Sequence, residues 1–200
     1  MLSFVRNLIV HSRGIITKSS VHYLYLYCAD INYIPESISR FVDQCRDYGL
    51  LSDDDTLQGD GHYLLGDKFP MHVCFLGCSP YLKLLPEFDN DKDYCCAYVN
   101  YSETPEFTFS NTLKPPVCPT CGGSLDIDMA TLADNKQRQL ACNHCHANVD
   151  FKDLNWRKDA GYYNFSIRIS NIFPKEAVPG DGLMQWLQQQ TGAEWKYFYV

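Results

Sequence analysis

Apolar and polar positions along the chain change period several times, and each change marks an element. His22 to Cys28 (HYLYLYC) alternates aromatic with aliphatic residues and predicts a strand. From Pro35 the period becomes helical. Ile34, Ile38, Phe41, Val42, Cys45 and Tyr48 fall on one face, with Glu36, Arg40, Asp43, Gln44 and Asp47 opposite. Pro35 suits the first turn of that helix and Gly49 its end. His62 to Leu65 and His72 to Leu76 predict two strands around Gly66-Asp67. Tyr81 to Leu85 reads as a short helix, and Tyr94 to Tyr101 and Phe107 to Phe109 as two further strands.

The C-terminal part is as regular. Gly161 is expected to break the chain. After it Tyr163, Phe165, Ile167 and Ile169 alternate with Asn164, Ser166, Arg168 and Ser170, a strand pattern. Pro174 and Pro179-Gly180 predict a loop. Asp181 caps a helix through Gln190 with Leu183, Trp186 and Leu187 inward, and Gly192 stops it. Trp195, Tyr197 and Tyr199 form a last strand. The order strand, Asp30-Ile31, Pro35, helix near the start has an echo near the end in strand, Asn171-Ile172, Pro174, helix. The expected fold is α+β, a mixed sheet with two main helices and an inserted subdomain. The expected organisation is an extension over 1–20, a body over 21–113, an insert over 114–150, and a C-terminal β-α-β part of the body over 151–200.

The insert carries the one explicit chemistry. Cys118-Pro119-Thr120-Cys121 is answered by Cys142-Asn143-His144-Cys145, a spacing of C-x2-C-x20-C-x2-C. Each pair can wrap one face of a tetrahedral ion. Pro119 stiffens the first turn, and Gly122 can take the positive φ that aims N–H groups at sulfur. Leu125 to Met129 and Gln137 to Ala141 are expected to form a hairpin turning at Asp134-Asn135. Four soft sulfurs predict one structural zinc ion on Cys118, Cys121, Cys142 and Cys145. They leave no position for a water, which disfavours catalytic zinc. His144 and His146 flank a site already full. The stretch from Val117 to Val149 resembles rubredoxin-type zinc ribbons.

Composition restricts the rest. Two hundred residues can bury a core without disulfides. Of the ten cysteines, those outside the knuckles lie in apolar patterns, as small buried hydrophobes do, and point to a reducing cytoplasm. The formal charge is −7; four thiolates and one dication would take it to −9. That disfavours a nonspecific nucleic-acid binder and suits a protein that meets a basic partner. Charges around the ribbon are balanced, apart from a small basic tip at Lys136–Arg138. Residues 1–20 hold Arg6, Arg13 and Lys18 and no acid, the composition of a transit peptide; an N-terminal helix or loose extension is the plainer expectation. No apolar run is long enough for a membrane span.

The remaining candidates are weak. Asp89 to Asp93 begins like a calcium loop, but Tyr94 and Asn100 stand where glycine and an acid are needed. Cys78 near His72 or His62 would be the nucleophile of a cysteine enzyme, and Cys95-Cys96 are adjacent thiols on opposite strand faces. Glycines from Gly59 to Lys68 lack phosphate-loop spacing. The C-terminal block from Phe173-Pro174 to Trp195 and Tyr199, after a CPxCGG ribbon, resembles a family of uncharacterised bacterial proteins, some labelled as sugar-transporter ATPases. That label has no phosphate-binding loop to support it here. The resemblance implies a bacterial cytoplasmic protein and carries no chemistry. The expected function is therefore a zinc-binding, non-enzymatic protein-interaction protein, for instance an immunity- or inhibitor-like protein. The alternatives are a nucleic-acid-associated ribbon protein and a cysteine-dependent enzyme.

Overall fold

A computed structural model of the chain describes residues 21–54, 61–76, 82–88, 91, 93–127 and 139–200. Its centre is a five-stranded sheet in the order β2-β4-β7-β1-β9. These strands are β1 (Tyr23–Cys28), β2 (His62–Leu64), β4 (Cys96–Phe109), β7 (Ala160–Ser170) and β9 (Trp195–Tyr199). All four pairings are antiparallel. The α-helices among the described residues are α1 (Ile38–Asp47), the single turn α2 (Phe69–His72) and α3 (Asp181–Thr191). The fold is α+β, with two main helices as expected.

Alternation explains which side the helices take. Leu24, Leu26, Phe165, Ile167 and Ile169 point to one face and are fully buried with Phe41, Val42 and Cys45 of α1 and Leu183 and Leu187 of α3. Both helices therefore cover that face. Ser37 caps α1, so Pro35 lies before the first turn it was expected to occupy; the Ser37 hydroxyl accepts from the Arg40 N–H at 3.2 Å. Ile34, placed on the apolar face by periodicity, precedes the helix and is 69% exposed. Gly49 does end the segment, with φ +77°.

The strand assignments need three corrections. Gly161 does not break the chain; it lies inside β7 opposite Thr108. A Cβ there would meet Phe198 Cε1 at 2.4 Å, so glycine makes room for that ring. The two strands expected at 94–101 and 107–109 are one strand, β4, whose register shifts between Tyr101 and Glu106. Pro105 lies in the shifted stretch and has no N–H to give a ladder. Pro179 belongs to β8 (Ala177–Pro179), which pairs with β3 (Val73–Phe75). The two strands expected on either side of Gly66-Asp67 are present as β2 and β3, in different sheets: β2 pairs with β4 and β3 with β8. Leu82 to Leu84 carry no helix; Tyr81 lies outside the described residues.

The loose thiols are mostly hydrophobes, as expected. Cys28, Cys45, Cys95 and Cys96 are buried, and burial pushes Cys28 up to about 11 and Cys95 to about 12. Cys74 departs from that pattern by being exposed. Asp91, from the calcium-like stretch, is committed elsewhere. It takes Lys83 Nζ at 2.8 Å and the N–H groups of Glu87 and Asp93, each at 2.9 Å.

Candidate metal centre

The insert leaves the sheet after β4 and returns just before β7, held by two short links. Val117 bridges both Ser124 and Asn155, and β5 (Gln139–Ala141) pairs with β6 (Asn148–Asp150). The expected partner of Gln139 to Ala141, Leu125 to Met129, is not its partner. Leu125 to Ile127 form no strand, and 128–138, with the Asp134-Asn135 turn and the Lys136–Arg138 tip, lie outside the described residues. The pairing instead folds the chain around the second knuckle.

A second apolar cluster sits beneath the cysteines. Leu125, Val149, Phe151, Leu154, Trp156 and Ala160 are buried with Cys118 and Cys142, and Phe107, Phe109 and Leu113 pack against them. The Trp156 ring lies 4.8 Å from Phe107, and its indole N–H donates to the Phe151 carbonyl at 2.9 Å. Residues of β4 and β7 thus share the ribbon's core. Knuckles and sheet end are packed together rather than joined by a free tether.

The four Sγ atoms of Cys118, Cys121, Cys142 and Cys145 lie within 4.8 Å of one another. Cys118 and Cys145 are 3.8 Å apart, and Cys121 and Cys142 3.7 Å. A regular tetrahedron with Zn–S bonds of about 2.3 Å has edges of about 3.8 Å. The sulfurs are far beyond the roughly 2.05 Å of a disulfide. Cys118 and Cys142 are each 1% exposed, Cys145 is half-buried and Cys121 exposed, so one edge of the site faces solvent.

The two knuckles repeat the same backbone geometry. Cys118 N–H donates to Gly123 O and Cys142 N–H to Ala147 O, both at 2.9 Å. Gly122 N–H returns to Cys118 O and His146 N–H to Cys142 O, again at 2.9 Å. The fifth residue of each loop is left-handed: Gly122 at φ +72° and His146 at φ +59°. Glycine takes this conformation freely; histidine takes it at a cost, though it is among the side chains found there most often.

This geometry aims N–H groups at sulfur. Gly123 N–H donates to Cys121 Sγ and His144 N–H to Cys142 Sγ, both at 3.4 Å. N–H groups of Cys121 and Thr120 pull the Cys118 thiol down to about 6, and those of Cys145 and His144 lower Cys142. Gly123 N–H acts the same way on Cys121, but lost hydration and the neighbouring thiols leave it raised, at about 12. Backbone N–H groups thus favour negative charge at two of the sulfurs, Cys118 and Cys142. That is the behaviour expected of four thiols arranged for a cation.

His144 and His146 are not in the ligand set. His144 Nε2 is 3.2 Å from the Ser124 carbonyl, so its ring spans from one knuckle to the other. Gly123 leaves space for it: a Cβ there would sit 2.5 Å from His144 Cδ2. The sequence pattern did not show this brace, although a histidine facing a CPxCGG glycine is a usable sign. His72, considered as a base for Cys78, stacks on Tyr48 at 4.2 Å and bonds its carbonyl at 3.1 Å. Cys78 lies outside the described residues. Cys95 and Cys96 sit apart: Cys95 Sγ reaches the Asn171 carbonyl and Cys96 Sγ the Ser170 hydroxyl.

Comparison with known proteins gave no matching family model and no significant match among curated proteins or solved structures. What is known of the centre is therefore its own geometry, a four-cysteine site able to hold a metal and resembling a zinc ribbon. No helix among the described residues is long and apolar enough to cross a membrane.

Proposed function

We infer that the protein is a cytoplasmic, non-enzymatic interaction protein whose ribbon is held by one structural zinc ion. The tetrahedral spacing of four thiolates carries this reading. A set of four protein sulfurs fills the coordination of zinc and leaves no open position for chemistry. Zinc suits the site because soft sulfurs in this geometry select it or iron, and zinc has no redox chemistry to destabilise the fold. A ribbon of this size has too small a core to fold alone, so metal binding supplies its folding free energy.

The interaction part rests on surface character. Leu76 is 70% exposed and Phe173 59% exposed, and both border a shallow depression with Pro174, Lys175 and Glu176. Exposed apolar side chains gathered in this way are common at protein contacts. A formal charge of −7 favours a basic partner, as for an immunity- or inhibitor-like protein. Capture from source cells should return one protein of high isoelectric point, lost with Phe173→Asp but kept after nuclease treatment. Capture that Phe173→Asp does not change would overturn the reading.

One observation favours nucleic acid as the second reading. Lys152, Arg157, Lys158 and Lys196 line a cleft of about 460 Å³ beside the ribbon's exit, with Tyr27 and Tyr197. Lys158 Nζ lies 4.2 Å from the centre of the Tyr197 ring. Arg157 and Lys158 occupy a tight turn, closed by Asp159 N–H to Trp156 O at 2.9 Å, with φ +55° and +67°. Binding to single-stranded oligonucleotides that weakens steeply with salt would support this reading. No binding at low salt would end it.

A further inference from the structure

Among the described residues no helix covers the sheet face away from α1 and α3, and this face has its own order. The register aligns His62 with Tyr98, Tyr98 with Arg168, Arg168 with Tyr25, and Tyr25 with Phe198, one row across all five strands. Over Arg168 this face hollows into a cleft of about 480 Å³, within the range of small-molecule sites. The alternation of Ser166, Arg168 and Ser170 in the sequence predicts a polar face without showing what gathers there.

Arg168 is the anomaly in that row. It stands on the sheet's central strand, where a cation loses much of its hydration. Its guanidinium carbon lies 4.1 Å from the centre of the Tyr98 ring and 4.9 Å from that of Tyr23, so two aromatic faces clamp it. Its Nε is buried and makes no hydrogen bond. Among the described residues no carboxylate forms an ion pair with it. Ring faces attract a cation but do not accept its N–H groups in the plane of the fork. A half-buried guanidinium held between two rings, with its Nε unpaired, the Tyr25 hydroxyl as a polar neighbour and a cleft before it, can still take an oxyanion.

We propose that this cleft binds a small organic oxyanion, whose carboxylate or phosphate oxygens take the donors of Arg168. The hydroxyls of Ser166 and Thr108 and the amide of Asn100 line the same cleft and suit a polar ligand body. Glu106 also lines it and opposes a second negative charge, so a singly charged ligand fits best. The site is independent of the metal centre and of the protein-interaction reading; it requires neither.

The test is an NMR titration of the full-length, zinc-loaded chain labelled with ¹⁵N-arginine. Sodium acetate and inorganic phosphate are the probes, at constant ionic strength in chloride. The Nε–H resonance missing from Arg168→Lys identifies the residue. It is expected to shift along a saturating curve with at least one probe, while exposed Arg40 drifts linearly. Acetate alone would assign a carboxylate ligand, phosphate alone a phosphate ester. Glu106→Gln should tighten the apparent Kd about threefold or more, because a like charge leaves the cleft. A linear or absent response of Arg168 to both probes would overturn the proposal, as would an affinity that Glu106→Gln leaves unchanged.

Discussion

Gly122→Ala and His146→Gly form a matched pair of perturbations. The two residues hold the same place in the two knuckles, each left-handed and each returning its N–H to the first cysteine of its loop. Nothing lies within 4 Å of where a Cβ on Gly122 would stand. Any loss in Gly122→Ala therefore reports backbone conformation and not a clash. A left-handed L-residue costs roughly 1–2 kcal/mol. The smaller entropy of the unfolded alanine chain returns roughly 0.4–1 kcal/mol of that. The net loss is about 1 kcal/mol, or about fivefold in zinc affinity if binding and ribbon folding are one event. In His146→Gly the same two effects change sign, so zinc affinity is expected to stay level or to rise by up to about 1 kcal/mol, and not to fall. Competition against a chromophoric chelator measures both. Equal losses in the two variants, or none in Gly122→Ala, would refute the equivalence of the knuckles.

Two further predictions follow from single contacts. Gly123→Ala drives a methyl into the His144 ring and should weaken zinc binding by more than Gly122→Ala, while adding His144→Ala should restore most of the loss; a double variant no better than the single one would deny the brace. Lys83, with the N–H groups of Glu87 and Asp93, holds the Asp91 carboxyl down to about 2. A depressed acid contributes stability above its unfolded pKa of about 3.9 and loses it as pH falls toward the folded value. An acid titration followed by NMR should show the Asp91 side chain and Lys83 changing together near pH 2, and a midpoint near 4 would refute the pairing.

The parts of the fold legible in the sequence were those fixed by local chemistry. Tyr23 to Cys28 alternates strictly, and its partner Tyr163 to Ser170 does so too, because each strand must sort residues between two faces. Gly49 and Gly192 ended their helices at positive φ, as glycine does where no Cβ is tolerated. The four cysteines were legible because their chemistry fixes spacing as well as residue type. Other features depended on distant partners. Gly161 reads as a breaker until Phe198 is seen to need its missing Cβ. Pro179 reads as a loop residue, yet in a three-residue strand it pairs with Val73. The partner of Gln139 to Ala141 was misplaced because the second knuckle, not the long connection, brings a strand alongside it. Arg168 reads only as one polar position of an alternating strand, and it is the register that places Tyr23 and Tyr98 around it.

The most direct test of the account is metal content together with coordination in the protein purified without added metal or chelator. Elemental analysis should find one zinc per chain, and cobalt substitution should give the intense ligand-field and thiolate charge-transfer bands of a tetrahedral four-sulfur site. Cys118→Ser with Cys142→Ser should abolish both. Metal-free protein that keeps the Trp156 cluster folded, or a cobalt spectrum with fewer than four sulfurs, would contradict the claim that Cys118, Cys121, Cys142 and Cys145 hold the ribbon together through a metal ion.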